Sequence, residues 1–203
     1  MKIEKQTLSG LIGPVVAVSN PDGTFLRSRP SYVNDPKTNS QLQQRSKMQQ
    51  VQGFIKPILP FAKAFYLEPD ARHNYYNALV SWLLYGAFDA ENNLQAAKAR
   101  IMHGSLTPPE NVAICTENGN ITLSWDDNTM APLSEADDHL VWCCYNTEAG
   151  TCQFEECGSI TRSSGNGTIN LRRNSHGGHL YLAFINKKRD RISDSVYLGE
   201  VEL

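Results

Sequence analysis

The sequence predicts an α+β protein, in which an N-terminal extended arm and helices precede an antiparallel β-sandwich. Two observations support this order. Apolar residues recur at helical spacing up to about residue 101, and after the Pro108-Pro109 pair they recur at strand spacing. We therefore divide the 203-residue chain into a basic extended arm plus helical region, residues 1–107, and a β-sandwich, residues 108–203.

The arm opens with a glycine-punctuated apolar segment, residues 8–18. Gly10, Gly13 and Pro14 are unfavourable in a helix, and residues 20–23, Asn-Pro-Asp-Gly, form a turn signal. A loose β-hairpin or an extended arm is therefore expected. Because a short two-stranded element is only marginally stable alone, it needs another surface, either its own sandwich or a neighbouring molecule.

Three segments of the first half are predicted to be helical. Residues 41–54 carry a narrow apolar stripe, and Pro57 and Pro60 are predicted to break that pattern. Residues 71–88 carry apolar side chains around most of the circumference, which predicts a buried helix. Residues 90–101 form a third, weaker candidate.

Seven strands are expected after the proline pair, with turn signals between them. The Asn118-Gly119 pair, a strong hairpin signal, lies between the first two strands. Thr147 and the polar residues 187–190 lie in two further expected turns. The predicted strands are residues 112–116, 120–125, 139–145, 152–156, 167–171, 179–185 and 195–198.

Charge is distributed unevenly, although the whole chain carries a net charge of −2. Residues 1–65 hold nine Lys or Arg against three Asp or Glu, whereas residues 108–160 hold ten Asp or Glu and no Lys or Arg. Such separation indicates interaction surfaces. The blocks can neutralise each other within one molecule or between molecules, and the sequence leaves both possibilities open.

The five cysteines all lie in the second half, and their odd number without a recognisable secretory signal favours free thiols in a reducing compartment. Their spacing does not give two C-x2-C pairs, so a zinc site is not expected. A nucleophilic Cys144 or Cys152 is disfavoured by its acidic surroundings. Buried or half-buried cysteines on strands are the favoured interpretation.

No catalytic, cofactor or metal site is predicted. The common nucleotide, hydrolase and metalloprotease motifs are absent. His176 and His179 are expected to be solvated in a turn, and the acidic residues that begin at Asp126 lack the spacing of a calcium-binding loop. No apolar run is long enough for a membrane span, and without a visible signal peptide we expect synthesis in the cytoplasm.

Nucleic-acid binding is a less favoured interpretation of the basic segment. Its cations are interleaved with aromatic residues, a combination that attracts phosphates. However, the segment contains no named nucleic-acid-binding module, and the isoelectric point of the chain is about 6.2. The cations concerned are Arg27, Arg29, Lys37, Arg45, Lys47, Lys56 and Lys63.

The second half resembles a fibronectin type III domain. Residues 109–112 and 119–127, which include Trp125, resemble its first two strands, and residues 181–184 and 192–199 resemble its last two. The resemblance implies a sandwich of two antiparallel sheets, with the tryptophan packed between them.

The whole chain is similar to an uncharacterised family of Bacteroidota, the domain of unknown function 6266. Three features carry this resemblance: a Gly-Pro-Val-Val start at residues 13–16 that leads to Arg-x-x-Pro at residues 27–30, an Asn-Pro-x-Thr-like element at residues 34–45, and the ending at residues 193–199. Similar arms followed by a small β-domain resemble those of phage or phage-like structural proteins, which implies incorporation into a virion or another assembly.

We interpret the chain as a non-catalytic structural protein that self-associates, or docks on a larger assembly, through its arm. The alternatives are a module that binds a protein or glycan through the sandwich loops and a nucleic-acid-associated protein. The predicted contact residues are Leu11, Val15, Val16, Phe25, Arg27 and Arg29 in the arm, and Asp126, Asp127, Asp137 and Asp138 in the sandwich.

Overall fold

The computed structural model describes residues 9–20, 23–32, 35–67, 74–117, 120–146, 148–171 and 177–202. The chain divides into two compact units, residues 1–39 and residues 40–203, and the second is hereafter the body. Some predictions fall on residues outside the described ranges. These are the turn residues Pro21, Asp22, Asn118, Gly119 and Thr147, the first member of the His176/His179 pair, and the first positions of the second predicted helix.

The first unit contains an antiparallel sheet of three short strands, hereafter the arm sheet: β1 (Gly10–Ile12), β2 (Val15–Asn20) and β3 (Gly23–Ser28). The central strand β2 pairs with both neighbours. Gly13 makes the β1–β2 turn possible because its φ of +59° favours a residue without a Cβ atom. The arm is therefore a three-stranded sheet rather than a single hairpin.

The body begins with a long helix, α1 (Asn39–Phe65), which continues through Pro57 and Pro60. The predicted break at these prolines is wrong. Two interior prolines cost about 6 kcal/mol together, but α1 buries six large apolar side chains, each of which contributes about 1.5–3 kcal/mol. The buried residues are Val51, Phe54, Ile55, Ile58, Phe61, Ala62 and Phe65.

The second helix, α2 (Tyr75–Gly86), begins at Asn74, whose side chain accepts a hydrogen bond from the Asn77 N–H. The helix is buried on one side only, at Ala78, Leu79 and Leu83, whereas Tyr85 is exposed. The expectation of a wholly buried helix is therefore wrong.

The third predicted helix is also wrong, because residues 90–101 contain only a single 3₁₀ turn, Ala96–Lys98. Local hydrogen bonds replace the helix. Asp89 accepts from the N–H of Asn93 and from the side chain of Gln95, and Asn92 has a φ of +66°. A short polar side chain that bonds to nearby backbone favours such turns over a helix.

Each of the seven predicted strands is present, and the α+β fold class is confirmed. The strands are β4 (Ala113–Glu117), β5 (Asn120–Ser124), β6 (His139–Asn146), β7 (Thr151–Thr161), β8 (Asn166–Ile169), β9 (Gly178–Ile185) and β10 (Val196–Val201). Strand β7 extends five residues beyond its predicted end. One sheet has the order β10-β9-β6-β7 and the other the order β4-β5-β8, and every pairing is antiparallel.

The four-stranded sheet is buried on both faces. Successive residues of β6 alternate, so that Val141, Cys143 and Tyr145 belong to the core shared with the helices. Leu140, Trp142 and Cys144 belong to the core shared with the three-stranded sheet. The helices thus share a hydrophobic core with the four-stranded sheet, and the chain divides into its two compact units after residue 39. The domain boundary between residues 107 and 108 stays a prediction.

The segment between helices and strands packs closely on the chain before β10. Ser195 Oγ accepts from the N–H groups of Ile101 and Met102, and the Leu106 N–H donates to the Ile192 carbonyl. A Cβ atom at Gly104 would overlap the Ile192 carbonyl, so that only glycine fits there. This segment is part of the body rather than a linker.

Candidate interaction surfaces

The arm sheet exposes large apolar side chains. The exposed fractions are 58% for Leu11, 48% for Ile12, 38% for Val18, 57% for Phe25 and 66% for Leu26. The predicted contact residues Val15 and Val16 are half-buried. Sequence reasoning had not selected Ile12 and Leu26, although both lie in the apolar segments that it identified.

The strand register distributes these side chains over both faces of the arm sheet. Leu11 pairs with Val16, and Val18 pairs with Phe25, so these four residues share one face. Ile12 and Leu26 lie on the opposite face, because Ile12 pairs with Val15 and Leu26 pairs with Ala17, one residue out of phase with the first set. Polar residues lie on both faces as well: Arg27 shares the face of Leu11, and Ser19, Thr24 and Ser28 share the face of Ile12 and Leu26.

Two exposed cations accompany the apolar residues of the arm. Arg27 shares the face of Leu11 and Phe25 because it pairs with Val16. Arg29 follows the end of β3, and its backbone N–H donates to the Pro14 carbonyl at 2.7 Å. The arm sheet therefore combines apolar and positively charged contact groups.

The body carries a negatively charged surface at one end of the sandwich, in the loop between β5 and β6. Four carboxylates are exposed there, Asp126, Asp127, Glu135 and Asp137, hereafter the acidic loop surface. Asp126 accepts from the Asn111 side chain at 2.6 Å. The Thr129 N–H donates to Asp127 at 3.0 Å, and this hydrogen bond lowers the pKa of Asp127. Asp137 lies 3.5 Å from Lys187.

Asp138, which the sequence analysis placed among the contact residues, is fully buried. Its Oδ2 atom accepts from Arg162 Nε at 3.0 Å and from the Glu135 N–H at 3.0 Å. A buried carboxylate cannot contact a partner's surface, so Asp138 is excluded from the contact set. Glu135, which the contact set omitted, lies exposed in the same loop.

Arg162 is fully buried beneath this loop and holds three chain segments together. Besides Asp138, its guanidinium donates to Asn128 Oδ1 at 2.6 Å and to the Thr107 carbonyl at 2.8 Å. It also lies 4.2 Å from the centre of the Phe184 ring. Arg162 was not among the predicted site residues, although it is the first Lys or Arg after Arg100.

A cavity of about 420 Å³ opens at the same end of the sandwich, between the acidic loop surface and the loop after β9. Its lining brings carboxylates such as Asp137 close to the cations Lys187, Lys188 and Arg191. Leu133, which also lines the cavity, has a φ of +54°, and the nearby Met130 is 96% exposed. Non-glycine residues seldom adopt such a φ, so the backbone of this loop is strained at Leu133.

His179 and the cysteine residues, which were considered as possible metal ligands or nucleophiles, lie on strands of the body. His179 is half-buried, and its Nδ1 atom lies 3.0 Å from the Tyr197 hydroxyl, so it is not a solvated turn residue. Cys115 is exposed on β4, whereas the other four cysteines are buried or half-buried on β6 and β7. Among the described residues there is no group of three or more potential metal ligands, and no helix there is long and apolar enough to cross a membrane.

The family of unknown function DUF6266 matches the chain over residues 7–199. No curated protein sequence matches the chain. Among solved structures, the solution structure of the fn3 domain of the human collagen alpha-1(XX) chain is similar to part of it, with 15% identity and a TM-score of 0.35. The match covers 48% of this chain and 85% of that domain, and it carries no statement about function.

Proposed function

We propose, from the premise that this chain belongs to the DUF6266 family of unknown function, that it is a non-catalytic assembly protein whose arm sheet docks on a second copy. The observation that carries the proposal is the exposure of large apolar side chains on both faces of a sheet of three short strands. Monomeric proteins seldom leave contiguous apolar surface of this kind uncovered, and three short strands need a packed face for stability.

The free energies favour reciprocal exchange of arms. Full burial of one large apolar side chain contributes about 1.5–3 kcal/mol, so burial of the remaining half of five such residues contributes about 4–8 kcal/mol per arm. Association costs about 4–15 kcal/mol. Burial of one arm offsets this cost only at the low end of the range. Two arms exchanged about a two-fold axis contribute twice as much, and the exchange gives a closed dimer.

The positive charge of the arm sheet favours the acidic loop surface of the second copy as its docking site. Arg27 and Arg29 of one copy would face the acidic loop surface of the other, where four carboxylates are exposed within a stretch that contains no Lys or Arg. Because these groups are exposed, their attraction is screened over about 8 Å at physiological ionic strength, and association should weaken as salt rises. Docking on a larger assembly would use the same two surfaces.

The first test removes the apolar contacts of the full-length protein. Leu11→Thr/Phe25→Thr/Leu26→Thr keeps strand-forming residues but should convert the dimer to a monomer, as measured by native mass spectrometry and light scattering. The matched control, Leu42→Gln/Tyr85→Gln, removes two exposed apolar residues of the helices and should leave the dimer intact. Full-length protein that is monomeric at all salt concentrations would contradict the proposal, and deletion of residues 1–33 should match the triple variant.

The second test identifies the acceptor. Asp126→Asn/Asp127→Asn/Asp137→Asn keeps an acceptor oxygen at each site but should weaken self-association at least tenfold, as measured by sedimentation equilibrium. The control Glu148→Gln/Glu155→Gln/Glu200→Gln removes the same charge from other exposed positions and should change the dissociation constant less than twofold. Equal effects of the two triple variants would show that net charge, not this surface, governs association.

A second candidate function is favoured by the cavity at the loop end of the sandwich. Its mixed charges and the exposed Met130 and Leu133 fit a module that binds a protein or glycan ligand through its loops. Lys187→Gln/Lys188→Gln should weaken the binding of such a ligand but not the dimer, because the loss of Lys187 leaves the neighbouring Asp137 more available to a cationic partner. A glycan-array and peptide-library screen of the full-length protein would test this function.

Two finer parts of the proposal rest on sequence resemblance alone: an origin in Bacteroidota and incorporation into a phage or phage-like virion. Neighbouring genes would test both. Genes for capsid or tail proteins next to this one would support a virion role, whereas polysaccharide-uptake genes would favour the ligand-binding alternative.

A further inference from the structure

Two thiols lie in contact on neighbouring strands of the body. Cys143 on β6 pairs in register with Phe154, and Cys152 on β7 pairs with Tyr145, so the two cysteines are diagonal neighbours on the same face of the sheet. Their Sγ atoms are 3.2 Å apart. A disulfide bond joins sulfurs at about 2.05 Å, so a shift of about 1.2 Å would bring the two to bonding distance.

The other cysteines are not placed for this bond. Cys144 follows Cys143 directly and therefore lies on the opposite face of β6, in the core between the two sheets. Cys157 packs against that same core, and Cys115 is exposed on β4 in the other sheet. Cys143 and Cys152 both belong to the core under the helices.

We propose that Cys143 and Cys152 are a thiol pair that small-molecule disulfides such as oxidised glutathione convert to an intramolecular disulfide in the folded protein. This modification is independent of the self-association proposed above, because it needs neither the arm sheet nor the acidic loop surface.

The positions of the two thiols indicate which of them reacts first with the oxidant. Cys152 is half-buried on β7, the edge strand of its sheet, so an oxidant reaches it more readily than it reaches Cys143. Cys143 is fully buried, and burial raises the pKa of its thiol well above the usual value, which makes it a poor first nucleophile. Cys152 therefore reacts first, and Cys143 acts as the resolving cysteine.

The chemistry balances in two exchange steps. The Cys152 thiolate attacks one sulfur of oxidised glutathione, which forms a mixed disulfide and releases one glutathione thiolate. Cys143 Sγ then attacks Cys152 Sγ, its proton passes to the departing second glutathione, and the protein disulfide forms. One molecule of oxidised glutathione is reduced to two of glutathione, and the protein loses two hydrogen atoms.

The bond would fix the start of β7 to β6 beneath α1. Phe154, two residues after Cys152, packs against the Phe61 ring of α1 at a centroid distance of 5.5 Å. Strand β7 lies at the edge of its sheet, and among the described strands it pairs only with β6. A covalent link at its start would therefore resist fraying of this edge.

The test incubates reduced, folded, full-length protein with oxidised glutathione and maps the product by mass spectrometry. No Lys or Arg lies between residues 100 and 162, so trypsin leaves all five cysteines in one peptide. Cleavage after glutamate is required, because Glu148 separates Cys143 and Cys144 from Cys152, and Glu155 and Glu156 separate Cys152 from Cys157. In the wild type, the peptides of residues 136–148 and 149–155 should be recovered as a linked pair that is two hydrogens lighter than the two peptides together.

Single variants assign the bond. Cys144→Ser, Cys115→Ser and Cys157→Ser should still form the link, whereas Cys143→Ser should stop at a stable glutathione adduct on Cys152, and Cys152→Ser should form neither. The oxidised wild type should melt about 5 °C or more above the reduced protein and return to the lower value with dithiothreitol. A link that persists in Cys143→Ser, or that forms only in urea, would overturn the proposal.

Discussion

The arm sheet and the body use apolar residues in opposite ways. In the body, strand β6 is buried along nearly its whole length, and the helices and the second sheet cover its two faces. In the arm sheet, β3 is exposed at every position, Phe25 and Leu26 included. Both regions contain similar strand-forming residues, so composition does not distinguish them.

This difference in burial indicates that the body contributes to folding and the arm sheet to association. Residues whose apolar surface is already covered contribute to folding, whereas residues whose apolar surface is still open can contribute to association. Substitutions in the body should therefore change the free energy of unfolding, and substitutions in the arm sheet should change the oligomeric state. The predictions below test this division, beginning with the largest expected effect on stability.

Arg162→Ala should destabilise the body by about 3–5 kcal/mol, because it leaves the buried Asp138 carboxylate without its charge partner. Urea unfolding followed by tryptophan fluorescence measures this change. The control Arg100→Ala breaks an exposed ion pair with Asp194 and should cost at most about 1 kcal/mol. Equal losses in both variants would show that the buried cluster has no special role in stability.

Leu83→Ala should destabilise the body by about 2–5 kcal/mol, because the side chain of Leu83 is fully buried between α2 and the sheet. Far-ultraviolet circular dichroism and tryptophan fluorescence should report one common transition in wild type and variant. Leu42→Ala, which removes an exposed side chain from α1, serves as the control. A helical transition separate from that of the sheets would instead support the predicted domain boundary near residue 107.

The stability of the body should fall in alkali. Burial raises the pKa of Cys144 from 9.0 to about 12. The unfolded chain therefore loses a proton above about pH 9 that the folded protein retains, so the free energy of unfolding decreases as pH rises from about 9 towards 12. Cys144→Ala should flatten this decrease, as measured by urea unfolding at pH 7 to 10.5, and the exposed Cys115→Ala should not. Part of the decrease should persist, because burial also raises the pKa of Tyr181.

The smallest expected effect on unfolding belongs to the arm. Leu11→Thr/Phe25→Thr/Leu26→Thr should change the free energy of unfolding of the body, measured on monomeric protein at low concentration, by no more than about 0.5 kcal/mol. The same variant should abolish the dimer. A destabilisation of several kcal/mol would show that these residues contribute to the core of the monomer, and the division between the two regions would fail.

The strands were predictable because their signals are local. The alternation of apolar residues and the turn residues between them define β4 to β10, although the ends of β7 and β10 were placed five and three residues too early. The helices were less predictable, because tertiary burial overrides local preference. The buried stripe of α1 outweighs two prolines, whereas the hydrogen bonds of Asp89 replace a third helix.

The candidate site was predictable in part for a similar reason. Charge and hydropathy located the arm sheet and the acidic loop, but they could not distinguish the buried Asp138 from its exposed neighbour Asp137. That distinction depends on Arg162, which lies 24 residues away in sequence. Similarly, the contact between Cys143 and Cys152 depends on the register of two strands, which the sequence does not specify.

The contacts of Arg162 affect how much conformational entropy the acidic loop surface would lose when a partner binds. One guanidinium holds Thr107, Asn128 and Asp138 at once, so the loop that carries Asp126, Asp127 and Asp137 is constrained before any partner arrives. A preorganised surface loses little conformational entropy on binding. Docking at this end of the sandwich should therefore be a rigid-body association, in which the loop does not have to fold when it binds.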